Sequence, residues 1–109
     1  MTGGHPRRKL DDIIHSPVRL SVMAVLAVTD EVDFRYLKET VEVSDSLLSK
    51  HIAVLQNADY VNVTKGVARN RPTTWFSLTE TGSAAYREYV STLNQIIGNG
   101  TAEEKSDAS

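Results

Sequence analysis

The chain has 109 residues and a mass of 12.0 kDa, which is the size of one domain with one hydrophobic core. With 40% hydrophobic and 24% charged residues, its composition is that of an ordinary globular protein and excludes a disordered polymer. No apolar run reaches the roughly 18–20 residues of a membrane-spanning helix, and the lack of cysteine excludes disulfide scaffolds and thiolate metal sites. The three histidines also lie far apart in the sequence. We therefore expect a soluble cytoplasmic protein with no membrane contact, no metal and no cofactor.

Basic residues are concentrated in two stretches of a chain whose net charge is −2. Residues 1–9 carry three basic residues and no acidic one, and residues 44–72 carry four basic residues against two acidic ones. Cations clustered in an otherwise acidic protein are typical of nucleic-acid binding. The distribution alone is equally compatible with a solvated surface on which charges cluster by chance.

The first residues are predicted to form a flexible basic arm over 1–9, followed by one or two helical turns that contain Leu10, Ile13 and Ile14. Ser16 is a predicted N-cap, and Pro17 suits the first position of the helix that follows. That helix is apolar on nearly all sides, which is typical of a buried central helix.

Two short helices separated by a tight turn come next. Apolar residues at helical spacing predict a helix over 34–41, with Asp33 as its N-cap. Ser44 is the predicted N-cap of a second helix, about residues 45–57. The apolar face of this second helix comprises Leu48, Ile52 and Leu55. The pair therefore has the helix-turn-helix arrangement.

The apolar period then changes from 3.6 residues to two. Alternation over 61–64 and 74–78 predicts a β-hairpin whose long basic tip spans residues 65–72.

The chain is predicted to end in one helix and a tail. Thr79 is the predicted N-cap of a helix over about residues 80–97, with Gly98 as its stop signal. Residues 99–109 lack any large apolar group and are predicted to be disordered.

The predicted fold is mainly α with a small β-hairpin, an α+β domain over residues 10–98. This series of elements resembles the winged helix-turn-helix transcriptional regulators, in particular the small single-domain MarR/ArsR-like type. The resemblance is carried by Leu48-Ser49-Lys50-His51-Ile52 with Leu55, Ala58, Tyr60 and Val61, and by the segment from Arg71 to Thr79 followed by Gly82. It covers roughly residues 10–97 and implies a winged helix with flanking N- and C-terminal helices, which binds double-stranded DNA and regulates transcription, with repression expected.

Two turn positions depart from the family pattern. Glu42 and Asp59 stand where the family often has glycine. A left-handed conformation would cost Glu42 on the order of 1 kcal/mol, whereas Asp59 tolerates it better. The cysteine-based metal sensing of many ArsR proteins does not carry over, because the chain has no cysteine.

The helix over 45–57 is the candidate for the major groove, which is about 12 Å wide and accepts one helix. Short polar side chains near its start allow close approach, and Lys50 can reach a guanine edge or a phosphate. Leu47 is either the edge of the core or a contact to a thymine methyl group, and we favour the core. The predicted DNA-binding residues of this region are Ser44, Ser46, Ser49, Lys50, His51 and Gln56. The alternative is a solvated helix face.

Basic residues outside this helix complete the predicted interface. By resemblance, the wing, with Lys65, Arg69 and Arg71, would lie on the minor groove or the backbone. Arg7 and Arg8 could enter a neighbouring minor groove. The alternatives are a hairpin tip charged for solubility and a merely disordered basic tail.

The last helix carries a stripe that could form the seam of a homodimer, which would imply a palindromic operator. The predicted interface residues are Leu10, Ile13, Ile14, Tyr86, Val90, Leu93 and Ile97. The alternative is that the stripe packs on its own domain. A cleft of the dimer lined by Tyr86, Tyr89 and Trp75 could hold a small apolar effector, although aromatic residues at helical spacing more often belong to a core.

The sequence also bears on two rival classes of function. An enzyme is disfavoured because Ser49 and His51 lie two apart on a helix and point about 200° away from each other, and no carboxylate pair or phosphate loop is present. The more serious alternative is a winged helix used only for contact with another protein, without specific DNA binding.

Overall fold

The computed structural model describes residues 5–108. In chain order the elements are a short 3-10 helix (Pro6–Lys9), α1 (Pro17–Ala27), β1 (Val32–Asp33), α2 (Phe34–Val41), α3 (Asp45–Asn57), β2 (Val61–Ala68), β3 (Arg71–Leu78) and α4 (Glu80–Ala108). The three strands form one antiparallel sheet in the order β1-β3-β2. In this part of the chain, none of the helices is both long and apolar enough to cross a membrane.

Polar caps start the four α-helices where the sequence predicts them. Ser16, Asp33 and Ser44 each accept a backbone hydrogen bond three residues on, at 3.4, 2.8 and 3.2 Å. Thr79 Oγ1 accepts in the same way from the Gly82 amide, at 2.8 Å. Because an N-cap satisfies amides that the helix itself cannot pair, these four side chains fix the helix starts.

The core lies between the helices and the inner face of the sheet. The α1 helix is central, as predicted, and the other elements pack around its buried side chains. The buried apolar residues are Ile14, Val22, Met23, Leu26, Val32, Leu37, Leu48, Ile52, Leu55, Val61, Phe76 and Tyr89. The predicted inner face of α3 (Leu48, Ile52 and Leu55) is therefore confirmed.

The hairpin is more regular than predicted. Instead of a long tip over 65–72, β2 and β3 stay paired as far as Ala68 and Arg71, and only Arg69 and Asn70 form the turn. Gly66 and Pro72 favour a loop in the sequence, but both lie in paired strands. Pro72 is in β3, beyond the two residues that pair with β1, so no second strand needs the N–H group that proline lacks.

Both ends of the domain differ from the sequence prediction. Residues 6–9 form a 3-10 helix packed against α4 rather than a flexible arm, because Pro6 suits the first turn and His5 Nδ1 accepts from the Arg7 amide at 3.1 Å. Residues 1–4 lie outside the described part. At the other end α4 continues through Gly98 to Ala108 instead of ending at 97. The helix-forming Ala-Glu-Glu-Lys run of 102–105 favours this continuation.

The start of α4 lies directly against the start of β2. Thr79 donates twice, through its amide to Tyr60 O at 3.0 Å and through Oγ1 to Asp59 O at 2.6 Å. These bonds bring Gly82 so close that a Cβ atom there would overlap the Tyr60 carbonyl. Glycine at position 82 is thus required by backbone packing.

The turns on either side of α3 use left-handed residues. Glu42 has φ 62° and Asp59 has φ 65°, as the family pattern implies for positions that often hold glycine. After α3 the Tyr60 amide donates to Leu55 O and the Asp59 amide to Gln56 O, both at 2.9 Å, which is a Schellman motif. The two turns set where α3 begins and ends.

Replacing Gly82 by alanine should lower the free energy of unfolding by about 3 kcal/mol, because backbone atoms must move to make room. The matched control is Gly98→Ala in the same helix, where an added Cβ meets nothing within 4 Å. That variant should gain about 0.5–1 kcal/mol from helix propensity. Urea unfolding followed by circular dichroism measures both, and similar changes in the two variants would contradict the packing described for Gly82.

Replacing Glu42 by glycine should raise the free energy of unfolding by about 0.5–1 kcal/mol, because glycine adopts positive φ without steric cost. Glu42→Ala removes the same charge but keeps the Cβ, so it should bring no such gain. Thermal unfolding of the two variants separates backbone strain from charge. A gain shared by both would attribute the effect to the carboxylate instead.

Candidate nucleic-acid interface

The α3 helix has a polar face that nothing in the described chain covers. Opposite its buried side, Ser46, Ser49 and Lys50 are exposed. Leu47 is 38% exposed, so it lies outside the core, contrary to the interpretation favoured from the sequence. This face therefore offers hydroxyl groups, one ammonium group and one apolar side chain to a partner.

The N-terminus of α3 is held in place by polar contacts. Ser44 Oγ accepts from the Leu47 amide and lies 3.5 Å from Ser46 Oγ. Lys38 Nζ of α2 lies 2.7 Å from the Asp45 carboxylate. Such exposed ion pairs are typically worth less than about 1 kcal/mol, so this contact links α2 to α3 without adding much stability. The sequence pattern placed Lys38 on a helix but did not reveal this partner.

The wing exposes three cations, Lys65, Arg69 and Arg71, as the sequence predicts. Arg69 and Asn70 have φ 55° and 63°, which is the arrangement of a two-residue type I′ turn. Asparagine suits such a turn, whereas arginine in the left-handed region costs on the order of 1 kcal/mol. Strained residues of this kind are found preferentially at functional sites.

A groove of about 1050 Å³ separates the wing from the start of α2. Arg69 and Arg71 border it from the wing, and Arg35 borders it from α2. Arg35 Nε also donates to Glu39 at 3.1 Å. The structure thus brings a third guanidinium group beside the wing, a residue that the sequence analysis missed because it belongs to a separate element.

His51, one of the predicted DNA contacts, is half-buried and has a side-chain partner in the chain. Its Nδ1 lies 3.0 Å from Nη1 of Arg19, on α1, so this edge of the ring is already occupied. Burial lowers the pKa of His51, and the positive charges of Arg19 and Lys50 lower it further. His51 is therefore neutral near pH 7 and does not add to the positive charge of α3.

The remaining predicted DNA contacts are Gln56, Arg7 and Arg8, and they lie on two different elements. Gln56 is exposed near the end of α3. Arg7 is exposed on the 3-10 helix packed against α4, and Arg8 belongs to the same short helix. The structure therefore groups positions 7 and 8 with α4 rather than with a free arm.

The predicted dimer residues fall into three groups. Ile14 is fully buried in its own chain and cannot contact a second copy, because the core closes over this short segment. Leu10, Ile13, Tyr86 and Leu93 are half-buried and pack on the core. Val90 is half-buried and lines a shallow groove on α4, and Ile97 is 56% exposed.

Within one described chain, the three aromatic residues predicted to line an effector cleft of the dimer do not share a pocket. Trp75 lines the groove beside the wing and Tyr86 lines the groove on α4, whereas Tyr89 is buried in the core.

Comparison with known proteins supports this geometry. Residues 18–97 match the family described as winged helix DNA-binding domain. An uncharacterized protein of Methanocaldococcus jannaschii, MJ0432, is 30% identical over 87 residues, which cover 80% of this chain and 95% of that protein. The family assignment thus spans most of the chain.

Solved structures show the same fold. A transcriptional regulator homologue from Pyrococcus horikoshii OT3 superposes with a TM-score of 0.82 at 24% identity, covering 88% of this chain and 97% of that one. A MarR-family transcriptional regulator from Silicibacter pomeroyi superposes with a TM-score of 0.63 at 21% identity, covering 89% and 64%. The chain therefore belongs to the winged helix DNA-binding domain family, and its fold is that of these solved regulators.

Proposed function

We propose that the protein binds a palindromic operator in double-stranded DNA as a homodimer and represses transcription there. The observation that carries this proposal is the uncovered polar face of α3, with Ser46, Ser49 and Lys50 exposed at the surface of a DNA-binding fold. A helix of this kind fits the major groove, where each base pair presents a distinct pattern of donors and acceptors.

Within α3, the exposed side chains are proposed to make different kinds of contact with DNA. Lys50 has the reach to donate to a guanine edge, and Leu47 can contact a thymine methyl group. The short hydroxyl side chains of Ser46 and Ser49 allow the backbone to come close to the bases. At the start of the helix, the amides beside Ser44 suit a phosphate, because a helix N-terminus attracts anions. Gln56 at the other end contributes a further backbone contact.

The wing supplies charge rather than sequence selection. Lys65, Arg69 and Arg71 are exposed on a paired ribbon whose turn holds Arg69 in a strained conformation. An uncharged asparagine or glycine would fit that turn at lower cost, so the guanidinium group there is best explained by a phosphate or minor-groove contact. Arg7 and Arg8 stay outside this proposed interface, because their short helix packs against α4.

The dimer is proposed to form through α4. Its groove, lined by Tyr86, Val90, Ser91 and Asn94 among others, combines apolar and small polar side chains on an exposed helix face. A two-fold dimer would place two α3 helices about one turn of DNA apart, which requires a palindromic site. The proposed interface and the proposed operator symmetry therefore depend on each other.

Two substitutions should separate charge from sequence reading. Arg69→Asn keeps a residue suited to positive φ, so it should weaken binding to every duplex alike and lower the salt slope by about 1. Lys50→Ala should cost about tenfold more on a selected operator than on random DNA, because a base contact is lost. Fluorescence anisotropy at several salt concentrations measures both effects.

Lys105→Ala is the control for Lys50→Ala, because it removes the same charge near the end of α4; it should leave both affinities unchanged. Equal losses for Lys50→Ala and Arg69→Asn on both duplexes would contradict the assigned roles. Binding that does not depend on salt would favour the alternative, a module for protein contact.

Val90→Glu should convert the dimer into a monomer, because it places a charge in the proposed apolar seam. Val28→Glu is the matched control, since Val28 is 83% exposed at the end of α1. Sedimentation velocity should give a dimer for the unsubstituted protein and for Val28→Glu. A monomeric unsubstituted protein, or a dimer that survives Val90→Glu, would rule out this interface.

A further inference from the structure

Arg19 joins the segment before α1 to the recognition helix α3. Its Nε donates to Ile13 O at 2.5 Å and its Nη2 to Asp12 O at 3.4 Å. Its Nη1 lies 3.0 Å from Nδ1 of His51. Three anchors on one guanidinium group leave it little freedom, so Arg19 holds the ring of His51 in one orientation.

This contact also determines where His51 carries its proton. A guanidinium group only donates hydrogen bonds, so Nδ1 of His51 must be the acceptor and the ring proton must lie on Nε2. The lowered pKa of His51 has the same consequence, because it keeps the ring neutral. Protonation at Nδ1 would break the bond and set two cations against each other.

The free edge of the ring lies at one side of the exposed face of α3. At about 100° per residue, His51 falls between the buried Leu48 and Leu55 and the exposed Leu47. Among the contacts described for residues 5–108, Nε2–H has no protein acceptor. A donor at the side of a recognition helix meets the sugar-phosphate backbone, whereas the centre of the face meets base edges.

We propose that Arg19 is a positioning residue for DNA binding, which holds His51 so that its neutral Nε2–H donates to a backbone phosphate beside the major groove. This inference rests on the proposed function. Lys50, one residue earlier, contributes charge to the same helix, but a lysine on a flexible stem adapts to many geometries. The neutral donor is directional and fixes how deeply α3 enters the groove.

The first test needs no DNA. In the unsubstituted protein, NMR of the ring nitrogens should show His51 as the Nε2–H tautomer. In Arg19→Gln the ring of His51 should exchange between both tautomers. In the conservative Arg19→Lys, which still donates one hydrogen bond, the change in the tautomer populations should be smaller. A His51 that keeps one tautomer in all three proteins, each shown to be folded by its thermal transition, would overturn the positioning role.

The second test uses anisotropy with a selected operator. His51→Leu should lower affinity about five- to tenfold, the size of one hydrogen bond, and leave the salt slope unchanged because no charge is lost. His51→Gln, whose amide can donate from a similar position, should retain most of the affinity. Arg69→Asn is the reference, with a salt slope lowered by about 1.

A double substitution shows whether Arg19 acts through His51. Arg19→Gln should weaken binding in the native background and add little to His51→Leu. A salt slope of DNA binding lowered by about 1 in Arg19→Gln would mean that Arg19 itself contacts DNA. An unchanged operator affinity in His51→Leu would mean that the ring makes no contact with DNA. Either result overturns the inference. Failure of the proposed function is recognised separately, because the unsubstituted protein would then show no salt-dependent binding to any duplex.

Discussion

The arrangement of the domain depends on the polar contacts of the segment that precedes α1. Asp11 accepts from the Tyr60 hydroxyl, and burial together with this bond raises the pKa of Tyr60 to about 12, so the phenol remains a donor. Four residues later, His15 Nδ1 lies 2.9 Å from the hydroxyl of Tyr89 on α4. With the guanidinium contact from α1 to α3, one short segment is bonded to the base of the wing, to the last helix and to the recognition helix. The wing, α4 and α3 are therefore all held in place by contacts to the same short segment.

Features determined by neighbouring residues could be predicted from the sequence. The N-caps Ser16, Asp33 and Ser44 and the inner face of α3 are confirmed because a cap bond spans three residues and helical periodicity is local. The left-handed turns at Glu42 and Asp59 followed from the family resemblance. The exposure of Lys50 and of the wing cations was likewise foreseeable, because lysine and arginine side chains are almost never fully buried unless they are paired.

Other features depend on residues far apart in the chain, and a pattern within one helix cannot contain them. The sequence pattern does not reveal a side-chain partner for His51, because that partner, Arg19, is 32 positions away in the chain. Lys38 and Asp45 meet only once the turn has closed. The sequence pattern underestimates the length of the hairpin for a related reason. Proline ends a strand only where a neighbouring strand requires the N–H group that it lacks, and the position of the neighbouring strands is a property of the whole sheet.

The wing is a continuous ladder up to a turn of two residues, so it behaves as a stiff rod of fixed length rather than as a loose loop. Each residue pair adds about 3.4 Å to such a rod and turns the side chains to the opposite face. The position of the Arg69 guanidinium group is consequently set by the number of residue pairs between Val61 and Ala68. Related proteins with wings one rung longer or shorter would place their charge over a different part of the duplex, even with an unchanged recognition helix.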